Sequence, residues 1–179
     1  PEAVIDRIEA GIREVMRRRG LSARDLSGIG IGAPGPTNYR TGVITEPPNL
    51  PGWRNVPLKA IVEERLGVPT FLCNDANVAA QAEYRFGAGR GTQNMIYVTV
   101  STGIGAGFIL GGHLYAGTDG AAGEVGHMTI DDSGGVRCVC GNVGCWEALA
   151  SGPALAAEAQ RRIASGARTS ILRVAEAVD

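Results

Sequence analysis

The sequence carries no excess of either charge: 17 lysines and arginines stand against 18 aspartates and glutamates, a formal net charge of −1. A nucleic-acid footprint needs a basic surplus to neutralise phosphates, so this balance argues against one. No apolar run approaches the ~20 residues that cross a bilayer, and no basic-then-apolar start reads as a signal peptide. Low-complexity tails and usable internal repeats are missing as well. With 44% hydrophobic residues the composition is that of a globular chain, which excludes disorder. Its 179 residues can bury a core in one large domain or two small ones. Cysteine is scarce, with 4 residues and no spacing that resembles a disulfide framework, which favours a cytoplasmic setting.

Glycine, by contrast, is abundant: 27 of 179 residues, roughly double the usual ~7%. The glycines have no fixed period, which excludes collagen. They gather in short runs between apolar segments, where backbone must turn tightly or approach a ligand.

The pattern predicts alternating helices and strands, hence an α/β architecture. Val4, Ile5, Ile8, Ile12, Val15 and Met16 make the apolar stripe of a helix over 2–19, and Gly20 is a suitable stop. Arg17 to Arg19 are read as a solvated helix end, with a phosphate patch as the alternative. Strands are expected at 28–33, 43–45, 68–73, 95–100 and 108–110, the last turning at Gly111-Gly112 toward 113–115. Helices are expected at 57–66, 75–86, 146–149, 152–164 and 170–177. The proline-rich stretch 47–53 suits neither helix nor central strand. The run Gly87-Ala88-Gly89-Arg90-Gly91 is a flexible connection, so the expected domains are 1–90 and 91–179.

The most specific signal is Cys138-Val139-Cys140-Gly141-Asn142-Val143-Gly144-Cys145. Three thiolates on a short glycine-punctuated loop can converge on one ion, and structural Zn2+ takes four N or S ligands. His127, 11 residues upstream, is the nearest fourth ligand. Such a site is closed to water and would organise a loop. Free thiols, or a disulfide to Cys73, are the alternatives. Cys73 itself reads as a small buried hydrophobe, and His113 has no company that assigns it a role.

The segment Ser101-Thr102-Gly103-Ile104-Gly105-Ala106-Gly107 follows a strand. Its glycines and hydroxyls can present donors to phosphate oxygens, or it is only a tight hairpin. It is neither a Walker loop nor a dinucleotide fingerprint, because a strand follows it. Asp75 lies where a strand ends and a helix begins, the edge at which α/β proteins bind ligands. It is either a proton acceptor for a substrate hydroxyl or a first-turn acid, and Asn74 can fill the cap in its place. Asn77 reads as a helix surface residue. Asn49, Glu124 and Glu147 suit recognition of hydroxyl groups, or are ordinary surface residues. Trp53 and Trp146 either pack or stack on sugar.

Taken together, Pro-Asn-Leu-Pro-Gly-Trp at 48–53, Asn-Asp-Ala-Asn at 74–77, Ser-Thr-Gly-Ile-Gly-Ala-Gly at 101–107, Glu-x-Gly-His at 124–127 and Cys-x-Cys-Gly-x-x-Gly-Cys-x-Glu at 138–147 resemble the ROK family of bacterial sugar kinases and sugar-responsive repressors. The likeness spans almost the whole chain. It implies an actin-like, hexokinase-type (ribonuclease H-like) fold of two α/β domains with a cleft between them. It implies ATP-dependent phosphorylation of a hexose, glucose foremost, at the 6-hydroxyl, with Mg2+ accompanying the nucleotide. Asp75 would be the base. Asn49, Asn74, Asp75, Glu124, His127 and Glu147 would bind the sugar, and Ser101 to Phe108 (Ser101, Thr102, Gly103, Ile104, Gly105, Ala106, Gly107, Phe108) would meet the phosphates. His127, Cys138, Cys140 and Cys145 would hold structural zinc, with His127 also facing the sugar. A homodimer is implied, with neither membrane nor nucleic acid as partner unless the chain is the sugar-sensing part of a repressor.

The family's Asp-containing Gly-Gly-Thr phosphate turn is not in the sequence, nor is its adenosine-contacting C-terminal segment. The chain is therefore expected to be an incomplete fold with exposed apolar surface and little kinase activity by itself. The 48–53 motif favours the kinase over the repressor. A purely structural zinc module would leave Asn49, Asp75 and the 101–107 segment unexplained. The identity of the hexose, and polyphosphate as a donor in place of ATP, stay open.

Overall fold

A computed structural model of the chain describes residues 1–47, 50–118 and 120–171. Helix α1 (Glu2–Arg19) ends at Gly20, whose φ of 64° is left-handed. There the Gly20 and Leu21 N–H groups donate to the Arg17 and Met16 carbonyls, closing the last turn. Of the apolar stripe, Ile5 is buried while Ile8 and Ile12 pack against the same core. Val4 and Val15 are exposed, so the stripe is wider than the face that the described residues cover.

Strand β1 (Ile29–Ala33) pairs in parallel with β4 (Thr70–Asn74), from Ile29 opposite Thr70 to Ala33 opposite Asn74. A parallel pair needs a long crossover. The intervening chain supplies it as β2 (Thr37–Asn38), β3 (Val43–Ile44) and helix α2 (Leu58–Leu66). β2 pairs antiparallel with β3. Two residues are too few for an alternating pattern, and β2 is an element the sequence did not predict. Helix α2 stops at Gly67, with φ 65°.

Ile5, Ile44, Leu58, Val62, Val68 and Leu72 belong to one buried core with Trp53. Trp53 is 4% exposed, so its indole packs inside this core and has no face free for sugar. Helices α1 and α2 are also joined by ion pairs, the Arg65 guanidinium donating to Asp6 at 2.7 Å and to Glu2.

β4 passes without a loop into helix α3 (Asp75–Phe86). β5 (Met95–Val100), β6 (Ile104–Leu110) and β7 (His113–Tyr115) form a sheet in that order, with β6 and β7 antiparallel. The strand expected from Phe108 thus begins at Ile104. Gly105 and Gly107 looked like loop glycines, yet Gly107 is inside the strand because α3 lies against it. A Cβ there would clash with the Ala80 side chain and come within 2.9 Å of the Ala76 carbonyl oxygen.

Beyond β7 come a 3-10 turn (Val125–His127), helix α4 (Trp146–Ala150) and helix α5 (Gly152–Ala164). Most of the helix expected at 170–177 lies outside the described residues. The chain divides into two compact units. The first takes Pro1–Tyr97 and Ala106–Gly123, and the second takes Val98–Gly105 and the chain from Glu124 onward. Among the described residues, no helix is long and apolar enough to cross a membrane.

Candidate functional site

The second unit brings His127, Cys138, Cys140 and Cys145 together, with one donor atom from each inside a 4.8 Å span. Two glycines make this possible. Gly144 has φ 73°, and a Cβ on it would collide with the Asp131 carbonyl, which the chain must pass closely to bring Cys145 inward. A Cβ on Gly126 would likewise strike the Ile104 carbonyl, so His127 reaches its place only because glycine precedes it. The Cys138 N–H donates to the Asn142 carbonyl at 2.8 Å, closing the loop between the cysteines.

Cys138 Sγ is 3.7 Å from His127 Nδ1, and Cys140 Sγ is 3.7 Å from Cys145 Sγ. A disulfide needs ~2.05 Å, and all four cysteines are free thiols, so the pairing with Cys73 is not formed. A tetrahedral ion with bonds of ~2.3 Å to sulfur sets its sulfur atoms ~3.8 Å apart. The donor set and its spacing therefore fit such an ion. Burial pushes the Cys145 thiol up to about 11, while the Asn142 backbone N–H draws Cys140 below the usual thiol range. The second ring nitrogen of His127 is directed toward Glu124, with Nε2 3.9 Å from its Oε2.

Glu147 is the second residue of α4, two positions after Cys145, and is half-buried. Its Oε2 accepts the Ile104 N–H at 2.8 Å. Ser101 and Thr102 are exposed, and Gly103 sits against the Glu147 carboxylate. Of the proposed phosphate segment, 101–103 is therefore a turn, while Ile104 to Phe108 is in strand β6, with Ile104, Ala106 and Gly107 buried.

In the first unit, β4 delivers Asn74 and Asp75 at its C-terminal end. Asn74 Oδ1 caps α3, accepting the N–H groups of Ala76 at 2.9 Å and Asn77 at 3.2 Å. Capping thus falls to Asn74, and among the described residues the Asp75 carboxylate keeps only the N–H of the next residue, Ala76, at 2.8 Å. Asn77 is not on the surface as the sequence suggested: it is 3% exposed. At the third position of α3 it faces inward beside Cys73, and its Oδ1 has no partner among the described residues. A polar side chain so close after a cap gave no sign in the sequence of which way it turns. Burial raises the half-buried Cys73 thiol, partly offset by hydrogen bonds from Asn74 and Asn77. Asn49 lies outside the described residues.

These features define a class: an α/β protein with an acidic residue at a strand's C-terminal edge and a loop of one histidine and three cysteines beside two glutamates. A model of the ROK family matches residues 1–179, and the chain belongs to that family. It is 45% identical over 135 residues to a glucokinase of Halalkalibacterium halodurans, covering 75% of this chain and 41% of that protein. It is 43% identical over 155 residues to a xylose repressor of Bacillus spizizenii, covering 87% and 40%. The crystal structure of a ROK family glucokinase from Streptomyces griseus, in complex with glucose and AMPPNP, superposes with a TM-score of 0.79 at 40% identity, covering 93% and 51%. The fold is accordingly the actin-like, hexokinase-type α/β fold. The chain spans about half the length of the relatives it matches.

Proposed function

We propose that the chain serves an ATP-dependent hexokinase, with glucose as the first candidate substrate and Asp75 as the base that takes the proton from the 6-hydroxyl. The observation that carries this is the division of labour at the start of α3. Asn74 satisfies the helix N–H groups, which leaves the Asp75 carboxylate available at a strand end, where α/β proteins place ligand-binding groups. Phosphoryl transfer asks for positioning and charge compensation more than covalent chemistry, and one well-placed carboxylate is enough to receive the proton.

Asn49, Asn74, Glu124, His127 and Glu147 are the proposed partners of the sugar hydroxyls, since carboxylates accept from OH groups and Asn both donates and accepts. The 101–108 segment is the proposed phosphate-facing element, with the exposed Ser101 and Thr102 hydroxyls and the 101–103 turn at its tip. Magnesium would enter with the nucleotide. His127, Cys138, Cys140 and Cys145 would hold zinc, which closes its own shell and contributes folding energy to the loop. In that arrangement His127 presents its second ring nitrogen beside Glu124. A homodimer is proposed as the assembled form.

The xylose repressor relative supports a second reading, a sugar-sensing domain without phosphoryl transfer. A panel of hexoses incubated with ATP and the complete protein separates the two. Phosphate appearing on one hexose supports the kinase, whereas saturable sugar binding with no transfer from ATP or polyphosphate supports the sensor.

A further inference from the structure

The 101–104 turn is held by the segment that follows the cysteine loop. Glu147 Oε2 accepts the Ile104 N–H at 2.8 Å, a contact that joins positions 43 residues apart. The Ser101 carbonyl accepts the Gly152 N–H at 2.8 Å, so both ends of the turn are tied to the α4–α5 segment. Gly103 lies between these ties. A Cβ on it would come within 2.5 Å of Glu147 Oε2, so a side chain there would displace the carboxylate from its place against the turn. All of these residues belong to one compact unit. Glu147 is two positions from Cys145, which is fully buried in the cluster of His127 and the three cysteines.

We propose that Glu147 is a positioning residue for the nucleotide as well as a ligand for the sugar. Oε2 holds the Ile104 N–H and thereby the shape of the 101–104 turn, while Oε1, which has no hydrogen-bond partner among the described residues, is left to a substrate hydroxyl. The same carboxylate thus links sugar recognition to the element that faces phosphate. This rests on the proposed kinase reading of that turn. A charge-assisted hydrogen bond to a backbone N–H is stronger than a neutral one, so its loss loosens the turn without touching the nucleotide directly.

The test compares Glu147→Ala, Glu147→Gln, Gly103→Ala and the Gly103→Ala/Glu147→Ala double variant in the complete protein. KM is measured separately for ATP and hexose, together with hydrogen exchange at the Ile104 amide. Glu147→Ala is expected to raise both KM values, that for ATP by about tenfold, and to speed Ile104 exchange. Glu147→Gln keeps an oxygen that accepts the N–H, so the KM for ATP returns to within about threefold while the KM for hexose stays raised. A general folding defect would move both constants together and would show no such rescue. Gly103→Ala is expected to raise the KM for ATP in the native background and to add little once Glu147 is truncated, the signature of coupled sites. If Glu147→Ala raises only the KM for hexose and leaves Ile104 exchange unchanged, the positioning role is overturned and the kinase reading survives. If Glu147→Ala does not fold, an unchanged KM for ATP in Gly103→Ala overturns it instead. If the unaltered protein phosphorylates no hexose, the kinase reading and the nucleotide role fall together, and Ile104 exchange then decides the backbone tie alone.

Discussion

Cys140 Sγ and Cys145 Sγ lie 3.7 Å apart, the separation of two ligands on one tetrahedral ion and nearly twice that of a disulfide. Among the described residues of the second unit, the fully buried Cys145 and nearly buried Cys138 share the interior with Ile104. Helix α5 buries none of its side chains. A small unit with so few apolar contacts is the kind that a metal staples.

About one zinc per chain is therefore expected by metal analysis. Stripping it with a chelator is expected to lower the thermal midpoint and weaken hexose binding, measured by titration calorimetry. Cys145→Ala should lose the metal outright. A metal-free sample with undiminished hexose affinity would contradict the proposed link between the zinc loop and the sugar ligands.

The Asn74 cap has a separate cost. Asn74→Ala removes the acceptor for two N–H groups of α3, and the expected loss is about 1 kcal/mol in urea unfolding. Asn74→Asp, an equally good capping residue, should recover most of it. Equal destabilisation by both substitutions would mean that capping is not what Asn74 contributes.

Trp53 distinguishes packing from recognition. Its indole belongs to the core of the first unit at 4% exposure. Trp53→Ala is expected to cost about 3–5 kcal/mol, as for other large buried aromatics. Trp53→Phe should cost less and leave hexose affinity per folded molecule unchanged, measured by titration of the folded fraction. A selective loss of affinity with Trp53→Phe would restore the stacking role.

Acid sensitivity follows from three carboxylates near the start of the chain, Glu9 and Glu14 half-buried and Asp25 exposed. Glu9 is held below its ordinary range first by Arg13 and further by Arg65. Glu14 is held down by Arg17 and Arg18, and Asp25 by Ser22. Each has a folded value depressed below the unfolded one, near 4.5 for the glutamates and 3.8 for the aspartate. Their contribution is thus complete above those values and is lost as pH falls through the folded ones. Their part of the urea midpoint should hold steady from neutrality downward and decline once the pH drops below the unfolded values. Glu9→Gln with Glu14→Gln should flatten that decline, and added salt should shrink the effect because the arginine partners Arg13, Arg17 and Arg18 are exposed to solvent.

Much of this molecule is visible in local sequence where one residue type has one physical use. Gly20 and Gly67 mark helix ends because both take left-handed φ. The cysteines and His127 read as a cluster because thiols at that spacing have few other reasons to converge, and they do converge. Asn74 was legible as a cap by the same logic. What stayed hidden depends on distant packing. Gly105 and Gly107 resemble loop residues, and only the placement of α3 against β6 shows why Gly107 sits in a strand. Asn77 resembles a surface residue until the turn of α3 directs it inward beside Cys73. The Glu147 to Ile104 bond spans 43 positions with no periodic signal between them. The short β2 strand exists only through its pairing with β3.

The most direct test of the account is Asp75→Asn in the complete protein, assayed for ATP-dependent hexose phosphorylation beside a calorimetric measurement of hexose binding. The substitution keeps shape and removes the proton acceptor. The account predicts that kcat falls by about 100- to 10,000-fold, the range for loss of a general base, while hexose binding and folding persist. Turnover within a few-fold of the unaltered protein would show that Asp75 is not the base, and would return it to the first-turn acid of α3.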